Sequence, residues 1–474
     1  MCLKRLNYYF LILFGFLLLA GCVKDITVEQ EVHAEFPENW QAENLIADVD
    51  KPQAWLEDLN SPVLDQLVEE ALSGNLPLKA ALARWQAAQA QSEIAGAPLK
   101  PNVEVGGDVA RRRVNQTSSD DFSFDVSASW EADVWGRLAN AERAAINDEQ
   151  AFAADYHAAK LSLAADVAQN WFASIEAEQQ ETLAIKNART FKQNLDVIEE
   201  RYRRGLNSAL DVHLARTDAA NAENAATQRT RQKDPILRRL DVLLGRYPAA
   251  ELAIAKQLPI LAKKVPVGIP ADILIRRPDL LAADNRLSAA GERVEEARKN
   301  RLPAIRLTGS GGLRSAELNQ LLDWDSLVWN LLASVTQPIY AGGRLDAEQA
   351  LAKARHGELW ANYAQAVLNA FREVETALAA EDRYARQLVQ LQLAVYEAGE
   401  GADLALSQYQ NGLIDIITLL QAQQRAFNSE STLLRVHREQ LDNRIALYLA
   451  LGGEFSSSQA RLLPGNEQED NQNN

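Results

Sequence analysis

The sequence is poor in the residues that build disulfide scaffolds and metal sites. Only two of its 474 residues are cysteines, Cys2 and Cys22, both near the N-terminus, which excludes a disulfide-stapled fold. Met1 is the only methionine, so thioether ligands for soft metals are lacking. The histidines His33, His157, His213, His356 and His437 are never three or four residues apart, so no helical ligand pair arises and no metal or cofactor is expected. Basic excess is absent too: the formal net charge of −16 argues against a nucleic-acid partner, whose phosphates require Lys and Arg. Catalytic signatures are missing. Gly309-Ser310-Gly311-Gly312 lacks both the Gly-Lys-Ser/Thr ending of a phosphate loop and the Gly-x-Ser-x-Gly of a nucleophile elbow. Carboxylates occur at helix-surface spacing without a paired cleft, so the chain reads as not an enzyme. What is present is 47% hydrophobic and 24% charged, enough for a large core. Length alone suggests two to four domains.

The N-terminus reads MCLKRLNYYFLILFGFLLLAGCVKD, with Lys4 and Arg5 ahead of an apolar run from about Leu6 to Ala20. That is a secretory signal over residues 1–21, too short to span a bilayer comfortably. Leu19-Ala20-Gly21-Cys22 resembles a bacterial lipobox, which implies that Cys22 is diacylated and becomes the mature N-terminus; the other reading is an ordinary signal with a chance cysteine. Val23 stands where an inner-membrane retention signal carries Asp, so the resemblance implies sorting to the outer membrane. Acyl chains would add a tether worth about 0.8 kcal/mol per buried CH2. Residues 22–54 read as an extended lipidated segment, and residues 453–474, an Asn/Gln/Glu-rich tail, as disordered.

The body of the chain is duplicated. Tyr202-Arg203-Arg204-Gly205-Leu206 recurs 207 residues later as Tyr409-Gln410-Asn411-Gly412-Leu413, and the same spacing maps Gly136-Arg137-Leu138 onto Gly343-Arg344-Leu345. It also maps Leu240–Gly245 onto Leu447–Gly452. The copies cover residues 55–250 and 271–452, joined by a Pro-bearing linker, 251–270. Each copy is expected to hold a first helix (62–97; 271–300), two alternating stretches, a long proline-free helix (138–204; 345–410), a Gly-marked break and a return helix (209–244; 416–451). A helix that long extends on the order of 100 Å. The apolar seams are Ala-rich, so several helices can approach closely; an ordinary coiled-coil rod would share this feature.

The alternating stretches break with the helical pattern. In DFSFDVSASWE, residues 121–131, Phe122, Phe124, Val126, Ala128 and Trp130 share one parity and Ser123, Asp125, Ser127, Ser129 and Glu131 the other. A strand turns such parities into an apolar and a polar wall. Strands are expected at 102–110, 122–131, 304–313 and 327–336, each about the length that crosses hydrocarbon when tilted. Val328 and Leu332 spoil the polar parity of the last. Polar connections, 111–120 and 314–326, read as outward loops, with Trp130, Trp135, Trp324 and Trp329 near strand ends. Four strands cannot close, and open edges in lipid leave backbone groups unpaired, so closure demands more chains. Two chains give eight strands filled by side chains; three give twelve and a lumen, which the polar parity favours.

These features resemble the TolC-like outer-membrane efflux family, in its lipoprotein branch of NodT-type factors attached to resistance-nodulation-division pumps. Its most specific carriers are Ile269-Pro270-Ala271-Asp272-Ile273-Leu274 with Arg276-Arg277-Pro278-Asp279, and the tip segment Tyr409–Leu413 followed by Thr418-Leu419-Leu420-Gln421-Ala422-Gln423. The resemblance, over about residues 22–455, implies a mostly α protein with a membrane β-barrel portion: a homotrimer whose twelve-stranded barrel continues into a twelve-helix periplasmic α-barrel. It implies a lipid-anchored exit duct in the outer membrane with a large periplasmic portion, partnered by a periplasmic adaptor and an inner-membrane proton-driven pump. Gly205 and Gly412 would mark the helix-tip turns and Ile417 an apolar gate. Gln421 stands where relatives often carry Asp, so Asp211 and Asp415 become the candidates for an acidic lining, or else helix-start residues favoured by the dipole. Arg276–Asp279 reads better as a folding signature than as a ligand site, and Arg111-Arg112-Arg113 as a solvated loop rather than a lipopolysaccharide contact. Two other functions fit less of the sequence: a duct for type I protein secretion, and a structural periplasmic coiled-coil lipoprotein.

Overall fold

Helix α1, Pro62–Gly74, and helix α2, Leu76–Gly96, occupy the span where one helix is expected. Asn75 divides them: its backbone is extended, its side chain caps α2 by accepting from Leu78 N at 3.0 Å, and its Nδ2 donates to Leu243 O. Strands β1, Asn102–Val114, and β2, Thr117–Ala132, lead to α3, Arg137–Arg203, and α4, Ala209–Leu243. The second copy opens with one turn at Ile273–Arg276, then α5, Pro278–Lys299. Arg277 precedes Pro278 and is held extended, which separates these pieces. Strands β3, Ala304–Ser315, and β4, Leu327–Thr336, precede α6, Arg344–Gln410, and α7, Ile416–Ala450. The structure, a computed structural model, describes Trp40, residues 55–59, 61–261, Val265 and residues 273–453, all within one unit, Pro37–Asn474. The signal, Cys22 with most of the 22–54 segment, Ile269–Asp272 of the linker motif and residues 454–474 lie outside the described residues.

The duplication is exact in the helices: α3 and α6 have 67 residues each, and α4 and α7 have 35 each. Both long helices start after a left-handed glycine, Gly136 and Gly343. Copies diverge at the sheet. There β1 and β2 run through the stretch expected to be a loop, because Arg111 pairs with Asp120 and Arg113 with Ser118, and the chain reverses at Asn115-Gln116 with both φ positive. That is the geometry of a two-residue hairpin turn. Between β3 and β4, by contrast, a real connection remains, with short 3-10 turns at Leu318–Gln320 and Trp324–Ser326.

Two apolar clusters hold the helices. The larger surrounds Trp171 and Phe172 of α3 and gathers Leu64, Leu67 and Val68 of α1, Val367 and Val374 of α6, and Leu441 and Ile445 of α7. Trp40, 3% exposed, plugs into this cluster with its ring 5.9 Å from that of Phe371. Arg277 is buried beside it, donating to Asp279, Glu373 and Ala450 O, which ties the start of the second copy to its own three helices and accounts for Arg276–Asp279 as structure. The smaller cluster lies toward the tips, around Ala188, Phe191, Ile198, Val212, Tyr409, Leu419 and Leu420. Between Leu378 and Ala405, α6 has no buried residue among those described.

Pro235 lies inside α4 beside a cavity of about 420 Å³ lined by Asn170, Arg239, Arg438 and Asp442. Burial pushes the Asp442 carboxyl up to about 6 against the pull of Arg438, with Glu439 and Glu176 adding to the rise. A carboxyl raised in the folded state holds its proton longer there than in the unfolded chain, so stability falls as pH rises from about 4 to about 6. Asp442→Asn is expected to gain on the wild type by on the order of 2 kcal/mol between pH 4 and pH 7, read from denaturant midpoints at each pH. Parallel profiles for the two proteins would refute it.

Candidate channel: membrane sheet and periplasmic tips

The sheet is antiparallel in the order β1-β2-β3-β4, so the two copies' hairpins join through β2 and β3. Residues directly opposite in such a sheet share a face. The register aligns Val105, Val126, Gly311 and Trp329 in one row, Phe124, Leu313 and Leu327 in the next, and Trp130, Leu307 and Ala333 toward the helices. Most of these large apolar side chains are exposed; Trp329 and Leu331 keep 78% and 75% of their surface. The other face reads Glu104, Ser127, Ser310 and Asn330 in one row and Asp108, Ser123 and Arg314 in another. Val328 and Leu332 do fall on it. At Gly312 the strands approach so closely that a Cβ would stand 2.2 Å from Phe124 O. Neither outer edge, β1 nor β4, has a strand partner among the described residues.

Where the sheet meets the helices the polar face becomes charged. Glu131 accepts from Arg137 at 2.6 Å and lies 3.5 Å from Arg306 across the β2–β3 pair. They border a cavity of about 1360 Å³ with Glu93, Lys100 and Glu142. Trp130 Nε1 donates to Leu99 O and Trp135 Nε1 to Pro303 O, so these rings tie strand ends to helix ends.

At the far end each long helix closes with the same turn. Gly205 N donates to Tyr202 O and Leu206 N to Arg201 O; Gly412 N and Leu413 N repeat this toward Tyr409 O and Gln408 O. These are Schellman closures, and both glycines have φ near +70°, where a Cβ would be strained. Asp211 sits in a reciprocal capping box with Ser208, and Asp415 caps α7 by accepting from Thr418 N at 2.8 Å. The Thr418 hydrogen bonds hold the Asp415 carboxyl below the usual range. The two aspartates thus start the return helices of different hairpins. Ile417, 47% exposed, and exposed Gln421 lie one turn apart on α7.

Sequence reasoning missed the cross-tip contacts. Asn207 takes a hydrogen bond from Arg201 Nε and donates to Tyr409 Oη at 3.1 Å, while the Arg201 guanidinium stands 5.1 Å over the Tyr409 ring. Tyr202 and Tyr409 are repeat equivalents, yet Tyr202 is exposed and Tyr409 buried; that asymmetry has no signal in the repeat itself. Farther up, Asn194 donates to Gln423 and Gln180 to Ser431 O, giving α3 and α7 a polar seam.

Residues 67–246 and 269–453 match the outer membrane efflux protein family, one segment per copy. The chain belongs to that family. It is 32% identical over 439 residues to the pyoverdine export outer membrane protein OpmQ of Pseudomonas putida, covering 89% of this chain and 92% of the relative. The toluene efflux pump outer membrane protein TtgF of the same species is 30% identical, covering 86% and 87%. A membrane protein of solved structure from Pseudomonas aeruginosa superposes with a TM-score of 0.83 at 28% identity, covering 89% of this chain and 98% of that one. This efflux protein is therefore an exit duct of the outer membrane, mostly α with a β-barrel portion and a large periplasmic part. Its family consists of channels, which are not enzymes. Among the described residues no helix is long and apolar enough to cross a membrane.

Proposed function

We propose that three copies of this chain close one twelve-stranded barrel over a twelve-helix tunnel, and that the assembly releases small molecules delivered by a periplasmic adaptor and an inner-membrane proton-driven pump. The observation that carries this is the four-stranded sheet with one apolar face and two edges that have no strand partner among the described residues. Unpaired backbone in lipid costs several kcal/mol per group, so the edges must meet those of other copies. Exposed Val389, Leu393, Tyr396 and Leu404 on α6 offer an apolar stripe at helical spacing for a neighbouring subunit. Three copies rather than two leave room for water beside Glu104, Asp108, Asp125 and Ser127. Cys22, in this reading, carries the lipid that secures the N-terminus to the membrane. The cargoes in the names of OpmQ and TtgF, pyoverdine and toluene, favour small molecules over secreted proteins.

The entrance in this proposal lies at the tips. Ile417 and Gln421 narrow it, Asp211 and Asp415 add negative charge while starting their helices, and Gly205 and Gly412 permit the turns. The adaptor would part the tips, working against the Asn207–Tyr409 contact and the polar α3–α7 seam. Single-channel conductance in planar bilayers tests the constriction. Ile417→Ala/Gln421→Ala is expected to raise conductance severalfold over the wild type, since neither side chain is buried and folding is spared. A double variant conducting like the wild type would remove the gate from these positions.

A further inference from the structure

The arginine triplet of β1 is divided between the two faces of the sheet. Arg111 and Arg113 share the parity of Val103, Val105 and Val109, the apolar face, whereas Arg112 shares that of Glu104 and Asp108. All three are exposed. Arg111 has Asp120 opposite, with Nε and Oδ1 3.4 Å apart, but Arg113 faces Ser118 and makes no hydrogen bond or ion pair among the described residues. The lipid side of this hairpin end therefore keeps an uncompensated positive charge.

Its height along the strand is also defined. The apolar parity of β2 runs from Phe122 to Trp130, about 26 Å along the strand, close to the hydrocarbon band once tilted. Arg111 and Arg113 lie two and four residues beyond Val109, roughly 7 and 13 Å farther from the helices. The neighbouring hairpin presents Leu322 and Trp324, 84% and 87% exposed, at its own connection on the same side. Apolar rings and guanidinium groups beside an apolar band mark the headgroup layer. The helices extend into the periplasm, so this end meets the outer leaflet, whose glycolipid carries phosphates on its sugars. A guanidinium is a planar fork that matches phosphate oxygens bidentately. Edge closure uses the backbone groups of β1 rather than these side chains.

We propose that Arg111 and Arg113 form a site for a phosphate of the outer-leaflet glycolipid on the lipid side of β1. The site requires the sheet to lie in the outer membrane but is independent of the entrance proposed at the tips. Full-length wild type, Arg111→Gln/Arg113→Gln and Arg112→Gln would be titrated, in mild detergent, with bisphosphorylated lipid A, its dephosphorylated form and phosphatidylglycerol, and bound lipid counted by native mass spectrometry. The double variant is expected to lose about ten-fold in affinity for the bisphosphorylated lipid, equivalent to one charge-assisted contact, with Arg112→Gln unchanged. Equal losses in Arg112→Gln, or equal wild-type binding of dephosphorylated lipid A, would overturn the site; equal binding of phosphatidylglycerol would overturn the glycolipid as its occupant. Arg113→Gln alone breaks no intrachain pair and carries the same test if the double variant assembles poorly.

Discussion

Val126→Arg is expected to remove nearly all heat-resistant oligomer from the outer membrane, whereas Ser127→Arg, one residue on, leaves assembly intact. Val126 is central in the apolar row, opposite Val105 and Gly311, and midway along the apolar parity of β2. A guanidinium at the bilayer midplane of a barrel costs about 2–4 kcal/mol, and a trimer would meet that cost three times. Ser127 lies opposite Glu104 and Ser310 on the polar face, where an arginine finds a carboxylate and water. Its effect should instead appear in conductance and ion selectivity. Unboiled gel electrophoresis of outer-membrane fractions separates the outcomes. Assembly of Val126→Arg at wild-type levels would mean that the apolar face does not meet lipid.

This pair of substitutions rests on a parity readable in eleven residues of sequence, and the reason is geometric. A strand has a period of two, so one misplaced residue would expose the wrong wall; the pattern must be strict wherever one side is apolar. Helix repeats were legible for a similar reason, because left-handed turns at Gly205 and Gly412 tolerate few residues other than glycine. The strand ends were not legible. From Arg111 to Asp120 both parities are polar, since one wall has left the hydrocarbon and the other is already wet, and the alternation that defines a strand disappears while its hydrogen bonds continue. Asn75 was missed because a cap in mid-helix depends on its acceptor role toward Leu78 N and on Leu243, 168 residues away. The tip contact between Asn207 and Tyr409 spans 202 residues and follows from how two hairpins pack, which local pattern does not encode.

The same dependence on distant partners makes Arg444 a sensitive charged position in the helical part. Arg444, next in the chain to Ile445 of the larger cluster, is 4% exposed, and its Nε donates to Glu381 Oε1 at 3.0 Å, joining α7 to α6. Asn443 Nδ2 donates to the other carboxylate oxygen at 3.1 Å, so Glu381 is held from two sides. Removing one member of a buried pair strands the other, which costs about 3–5 kcal/mol. Arg444→Ala is therefore expected to lower the denaturation midpoint far more than truncation of an exposed helix pair such as Arg435–Glu439. Replacing both members by apolar residues of similar volume, Glu381→Leu/Arg444→Met, should recover part of that loss, because the Glu381 carboxylate is no longer left without the arginine. A double variant as unstable as Arg444→Ala would show that packing of the arginine stem, rather than the stranded carboxylate, sets the cost. In that case the ion pair serves chiefly to fix the register of α6 against α7.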